Sequence, residues 1–294
     1  MRKRLVLIGL AFAVAACSGR EEVVPEDRLV VEAWICSGEA PIVQLSTSIR
    51  PTREEQGSEA LEEHIIRHAR VTVSDGEREV SLTGMYKKGW LPPYIYTTGQ
   101  LLGEAGKTYT LTVDTPSHHA RAVTHIPEPV PLTGLEPERY GDTDTTWLLR
   151  ARFRDRPGEH NCYKFFSKIR GVDSTYIPTR VSFVNDEILE QDAEAEVLVM
   201  PGTGLFHSMD TRPCYYGGEK VSVRFCTMDP EASQLWEAFD SQVVTFLLPI
   251  LTATTNMTGN VDGALGFFAG YGCAQYTVTL PISGRGASDF AKNP

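Results

Sequence analysis

Along most of this chain, hydrophobic and polar positions alternate with a period of two and are broken by short turn signals, the pattern of half-buried β-strands. Residues 29–36 are apolar at nearly every position, as in a strand buried on both faces. After Ser37-Gly38, the positions Val43, Leu45, Thr47 and Ile49 alternate with Gln44, Ser46 and Ser48, which predicts a hairpin or meander. Val71-Thr72-Val73, the Asp75-Gly76 turn, then Val80 and Leu82 repeat the pattern, and Tyr109, Leu111 and Val113 alternate with Thr108, Thr110 and Thr112. Short strands at regular turns predict a sandwich.

Pro127, Pro129, Pro131 and Pro137 then fall close together, which suppresses helix and central strand and places a domain boundary there. Beyond it, Trp147, Leu149, Ala151 and Phe153 face one way while Arg150, Arg152 and Arg154 face the other. Further strands are expected around 163–169, 174–184 and 196–200, and at Val221, Val223 and Phe225; residues 263–280 read as strands hinged by glycines. One helix is predicted over 230–244: Asp229 suits the cap, Pro230 the first turn, and Leu235, Trp236, Phe239 and Val243 form an apolar stripe. The fold class is therefore mainly β, with two β-sandwich-like domains, 28–127 and 138–290, and one helix in the second.

The first 27 residues break the pattern. Arg2, Lys3 and Arg4 form a basic start, and residues 5–14 form an apolar run too short for a membrane span, which takes about 20 residues. Val14-Ala15-Ala16-Cys17 closes the run with the small-residue-then-cysteine pattern of lipoprotein processing. Residues 1–16 read as a lipoprotein signal peptide, Cys17 as the lipidated N-terminus and 17–27 as a polar, acidic tether. Acyl chains contribute about 0.8 kcal/mol per buried CH2, so two or more hold a protein stably to the bilayer. The competing reading is an ordinary secreted protein cut near Ala16, which leaves Cys17 unmodified.

Removing residues 1–16 leaves 25 basic against 38 acidic residues, a net charge of −13. That balance excludes nucleic acid and disfavours anionic lipid head groups, because both need a basic footprint. Five further cysteines follow, Cys36, Cys162, Cys214, Cys226 and Cys273, so at most two disulfides form in an exported chain. Four of the five lie in the second half, where bridges are expected, and the connectivity stays open.

Few residues announce chemistry. His64 and His68 follow Glu62-Glu63 at helical spacing, but Ile65 and Arg67 stand where a zinc protease needs its glutamate, so a surface loop is the better reading. His118 and His119 are adjacent and read as turn residues, pointing to opposite faces of an extended chain. His160, Cys162, His207, Cys214 and Cys226 are the candidate metal set, against which disulfides or buried thiols are favoured because no Cys-x-x-Cys knuckle occurs. The acidic run Asp186, Glu187, Glu190, Asp192, Glu194 and Glu196 lacks a calcium-loop pattern and reads as solvated. Gly259, Gly263, Gly266, Gly270 and Gly272 cradle no phosphate in that order and fit strand bends or bulges. No Gly-x-Ser-x-Gly elbow is present. Trp90, Tyr94 and Tyr96, beside Pro92 and Pro93, form an aromatic hairpin tip that suits ligand or partner contact, with core packing as the competing reading. No catalytic, cofactor-binding or metal-binding residue is assigned.

The lipobox, the opening strand Leu29-Val30-Val31-Glu32-Ala33-Trp34-Ile35, Ala69-Arg70-Val71-Thr72-Val73-Ser74-Asp75, Gly106-Lys107-Thr108-Tyr109-Thr110-Leu111-Thr112-Val113 and Asn260-Val261-Asp262-Gly263-Ala264-Leu265-Gly266-Phe267-Phe268-Ala269-Gly270 come in a characteristic order. Together they resemble the domain-of-unknown-function 4249 lipoproteins of Bacteroidota-type bacteria. The N-terminal part is similar to the transthyretin-like or carboxypeptidase-regulatory β-sandwich. The resemblance implies an outer-membrane lipoprotein, of a kind often encoded beside TonB-dependent transporters, and carries over no catalytic residue. Glu21-Glu22 resembles the tether signal for surface export, at a loose spacing from Cys17 that leaves periplasm-facing attachment open.

The expected function is that of a non-enzymatic ligand-binding or transporter-accessory lipoprotein at the cell envelope. Its expected partners are the bilayer, through acylated Cys17, and a TonB-dependent outer-membrane transporter. The alternatives are an exported hydrolase of glycans or peptides and a structural or adhesive surface subunit.

Overall fold

The computed structural model describes residues 28–48, 62–90, 92–180, 182–189, 193–202, 212–230, 233–237, 240 and 259–282, and the backbone of 291–292. The lipobox, Cys17 and the Glu21-Glu22 tether lie outside them. The first half contributes strands β1 (Leu29–Cys36), β2 (Ile42–Thr47), β3 (Arg70–Ser74), β4 (Glu79–Ser81), β5 (Thr83–Tyr86), β6 (Tyr94–Thr97), β7 (Thr108–Asp114) and β8 (His119–His125). Then come β9 (Leu132–Arg139), β10 (Thr146–Arg154), β11 (Cys162–Ile169), β12 (Ile177–Pro178), β13 (Val184–Asn185), β14 (Glu194–Val199), β15 (Tyr215–Tyr216) and β16 (Lys220–Met228). The last are β17 (Val261–Asp262), β18 (Leu265–Thr279) and β19 (Ala291–Lys292). The molecule is mainly β, and helical residues occur at 230, 233–237 and 240, inside the predicted helix.

Three sheets form from these strands. One runs β12-β11-β16-β18-β1-β2-β6-β5, a second is β17-β8-β7-β3-β4, and a third joins β14, β10 and β15 with β9 on the other edge of β10. The long sheet underlies both smaller ones. Leu29, Val31, Ala33 and Ile35 of β1 pack with Val71, Val73, Tyr109, Leu111 and Val113 in a first core. Phe153, Tyr163, Phe165 and Phe225 centre a second core, with ring centroids 4.6 to 6.4 Å apart. Truncating a ring such as Phe225 to alanine there costs about 3–5 kcal/mol.

The cores change over inside the proline segment: Ile126 belongs to the first and Val130, Leu132 and Leu135 to the second. Pro137 lies within β9, opposite Leu149, and an edge strand tolerates its missing N–H. The range 138–290, however, is shared between them: Val261 and Phe268 pack in the first core, whereas Ala274, Tyr276 and Val278 pack in the second. Strand β18 is the reason, because it pairs in parallel with β1 from Val30↔Leu265 to Cys36↔Tyr271 and antiparallel with β16 from Thr227↔Gly272 to Lys220↔Thr279.

Two other expectations change. Residues 265–279 are one strand rather than strands hinged by glycine. Gly270 and Gly272 instead let the connection from β8 to β9 cross the sheet: a Cβ there would come within 2.1 Å of the His125 carbonyl oxygen and 2.2 Å of that of Pro127. The stretch 174–184 is no continuous strand: β12 and the start of β13 pair with β11, and Thr179 makes an isolated bridge to Gly202.

The outer face of the long sheet is covered by other means. Leu235 and Trp236 of the helical segment pack with Cys36, Cys162, Cys226, Met228 and Tyr271. The indole N–H of Trp236 donates to the Tyr271 hydroxyl at 2.8 Å.

Candidate functional site

At the junction of the two cores lies a cleft of about 340 Å³. His125 at the end of β8, Pro127 and Glu128 of the crossing segment, Arg156, Glu159, His160 and Asn161 between β10 and β11, and Asp229 after β16 line it. Each contributor is a strand end or a connection, the part of a sandwich left open for recognition. The crossing segment is held at both ends. Ile126 N donates to the Lys107 carbonyl at 3.0 Å, and Val130 N donates to Thr227 Oγ1 at 3.1 Å.

Polar side chains of the cleft are paired with one another or with Asp186. His125 Nδ1 lies 3.1 Å from Asp229 Oδ2, across 104 residues of sequence. Arg156 Nη1 donates to Glu159 Oε2 at 3.2 Å, and His160 Nδ1 lies 3.5 Å from Asp186 Oδ1. Asn161 is fixed by its backbone: its N–H donates to Asp186 Oδ2 at 2.6 Å, and its carbonyl accepts from Asp186 N at 3.1 Å. Asn161 is only 3% exposed, and its side-chain Nδ2 is buried with no hydrogen-bond partner. An unsatisfied buried amide costs about 1–3 kcal/mol, so a wall carrying one is suited to a ligand that supplies an acceptor. With Glu128, Glu159 and Asp229 against Arg156, the cleft offers acceptors, donors and two imidazoles to a small polar molecule.

The aromatic tip is placed differently. Tyr96 is 2% exposed, packs in the first core and donates its hydroxyl to the Ile66 carbonyl at 3.0 Å, so it is a core residue and not a contact for a partner. Burial raises its hydroxyl pKa to about 12. Tyr94 meets Tyr96 edge to face at 5.5 Å, and Trp90 stacks on Trp34 at 6.1 Å with Lys87 Nζ 4.7 Å above its ring. Ser174 Oγ donates to the Gly89 carbonyl at 2.5 Å and binds the tip to the second half of the chain. Both Trp90 and Tyr94 are partly exposed, yet their ring contacts are internal.

The candidate metal set is not gathered. Cys162, Cys214 and Cys226 are buried free thiols, His160 is drawn to Asp186, and His207 lies outside the described residues. Among the described residues no three His, Cys, Asp or Glu side chains are placed to hold a metal ion. His64 Nδ1 bonds Thr47 Oγ1 at 2.8 Å, and His119 pairs with Asp114 while His118 bonds Ser117. Asp186 and Glu187 form a short 3-10 turn, Glu194 and Glu196 lie on β14, and Glu190 and Asp192 lie outside the described residues. Cys226 and Cys273 are unbridged, with their sulfurs 3.3 Å apart. Sequence reasoning missed His125, Asn161 and Asp229, whose only signal was the tertiary meeting of distant chain segments.

Paired β-layers over a shared long sheet, with a polar cleft between two cores, define a β-sandwich-type protein. The chain belongs to the family described as domain of unknown function (DUF4249), which it matches over residues 20–277. No curated protein matches it.

Proposed function

We propose that this protein is a lipid-anchored lipoprotein of the outer membrane that binds a small polar ligand in the junction cleft and acts as an accessory to a TonB-dependent transporter. The observation that carries the binding reading is the Asn161 side chain, buried at the cleft with an unpartnered Nδ2. The anchor reading is supported by Val14-Ala15-Ala16-Cys17 behind a basic and apolar leader. A net charge of −13 after processing favours a neutral or cationic partner over a polyanion.

The test is thermal shift of the purified protein against a panel of mono- and oligosaccharides and short peptides. A stabilising compound should lose its effect in Asn161→Leu and weaken in Asp229→Asn, while both variants keep the unliganded melting temperature within a few degrees. Copurification of a stoichiometric transporter from detergent-solubilised outer membrane supports the accessory role. Three carboxylates and two imidazoles at the cleft favour one second reading, a hydrolase, which turnover of the same compounds would establish.

A further inference from the structure

Three thiols converge on the outer face of the long sheet. Cys226 and Cys273 are directly opposed in the β16–β18 pair, and Cys36 stands opposite Tyr271 on the far side of β18. Around them lie Arg224, whose Nη2 is 2.5 Å from Glu39 Oε1 and whose Nη1 is 3.6 Å from Cys36 Sγ, and the covering Trp236.

We propose that Cys226 and Cys273 are a disulfide-forming pair and that Cys36 is the thiol left reduced beside it. The backbone selects the pair. Cys273 N donates to Ser37 Oγ at 2.9 Å, and Tyr271 O accepts from Ser37 N at 2.9 Å, so the peptide groups of both residues point toward β1. They therefore point away from β16, which makes Cys226↔Cys273 a non-hydrogen-bonded antiparallel pair, with Cα atoms about 4.5 Å apart. A disulfide spans Cα separations of about 4.4–6.8 Å, so this pair closes by side-chain rotation, drawing in sulfurs already 3.3 Å apart. Cys36 is offset from Cys273 by two residues along the neighbouring strand. With strands about 4.8 Å apart and a rise of about 3.3 Å per residue, their Cα atoms are about 8 Å apart, beyond bridging without backbone movement.

The oxidant is a low-molecular-weight disulfide or the disulfide of an exported dithiol protein. Cys273, the only partly exposed member, loses its proton and attacks one external sulfur, forming a mixed disulfide and expelling one external thiolate. Cys226 loses its proton and attacks the Cys273 sulfur, the mixed S–S bond breaks, and the second external thiolate leaves. The two protein thiols are oxidised by two electrons, and the external disulfide, taking up their two protons, is reduced to two thiols. Burial holds both protein thiols above the usual range, so exchange in the folded chain is slow. The bond closes the excursion 227–272 at its base, and that excursion carries Leu235 and Trp236, which cover the thiols.

Its presence in the cell rests on the export reading, whereas the pairing does not. The full-length protein is taken from its native envelope, denatured in alkylating agent without reductant, and its peptides mapped. A second portion is reduced with dithiothreitol, exposed to oxidised glutathione in the folded state over days, and mapped likewise. The expected result in both is a linked Cys226–Cys273 peptide pair with Cys36, Cys162 and Cys214 alkylated, unchanged by Cys36→Ser. A reduced native protein that glutathione converts to the Cys226–Cys273 bridge supports the pairing and counts against export. Five alkylated cysteines after glutathione, or a bridge from Cys36 to Cys273 or between any other two, overturns the proposal.

Discussion

The ammonium of Lys164, 0% exposed on the central strand β11, lies 2.7 Å from Oδ1 of Asp240 in the helical segment. The other carboxylate oxygen accepts from the backbone N–H groups of Ser182 and Phe183 at 3.0 and 2.8 Å. A single aspartate thus ties helix, sheet and the connection after β12. Burial pulls Lys164 below its usual pKa, and Asp240 opposes that pull.

Removing one partner of a buried pair strands the other, at a cost of about 3–5 kcal/mol. Lys164→Ala should lower the unfolding free energy by that amount in urea titrations. Lys164→Met combined with Asp240→Asn should recover most of the loss, because the asparagine oxygen still accepts from Ser182 or Phe183.

Gly270→Val and Gly272→Val should each destabilise the fold by about 3 kcal/mol or more, since the new Cβ meets a backbone carbonyl that cannot rotate away. Gly38→Ala is the contrast: nothing lies within 4 Å of its Cβ position, and only its φ of +78° resists substitution, so the cost should be smaller. Urea midpoints at constant m-value decide between them.

Stability should fall in alkali. Burial raises the Cys162 thiol from 9.0 to about 11 and the Tyr96 hydroxyl from 10.0 to about 12. Above pH 9 the unfolded chain releases these protons first, so it binds fewer than the folded chain and the stability slope is negative. The contribution is whole below pH 9 and is lost as pH rises toward about 12. Urea midpoints at pH 8 and pH 10.5 should show the drop, and Cys162→Ser should reduce it.

Cys17→Ser should move the protein from the membrane to the soluble fraction and abolish palmitate labelling. Membrane retention of this variant through another covalent attachment would refute the lipoprotein assignment.

Much of the local structure was legible in the sequence. A continuous apolar run placed β1, alternation placed β2, β3, β7, β10 and β16, and Asp75-Gly76 marked the β3–β4 turn, because a strand face and a tight turn are properties of a few consecutive residues. Arg150 and Arg152 fell on the outer face as expected, where Glu138, Glu196 and Glu136 meet them. Pro230 marked the start of the helical segment. Pro137 nevertheless lies in β9, since an edge strand tolerates proline and only the pairing tells an edge from an interior.

What the tertiary structure alone decided is the pairing of distant segments. Nothing near Val30 specifies Leu265 as its partner; that register follows from burying Leu29, Val31 and Ala33 on one face while Phe268 reaches the same core. The parallel β1–β18 contact makes one sheet of two expected domains and opens the cleft where His125 finds Asp229. It also sets Cys36 beside a pair of thiols that spacing along the chain could not have joined. A strand's own residues determine that it is a strand and which face is apolar. Its neighbours are chosen by the total apolar surface buried and the backbone groups satisfied, which depend on the whole chain at once.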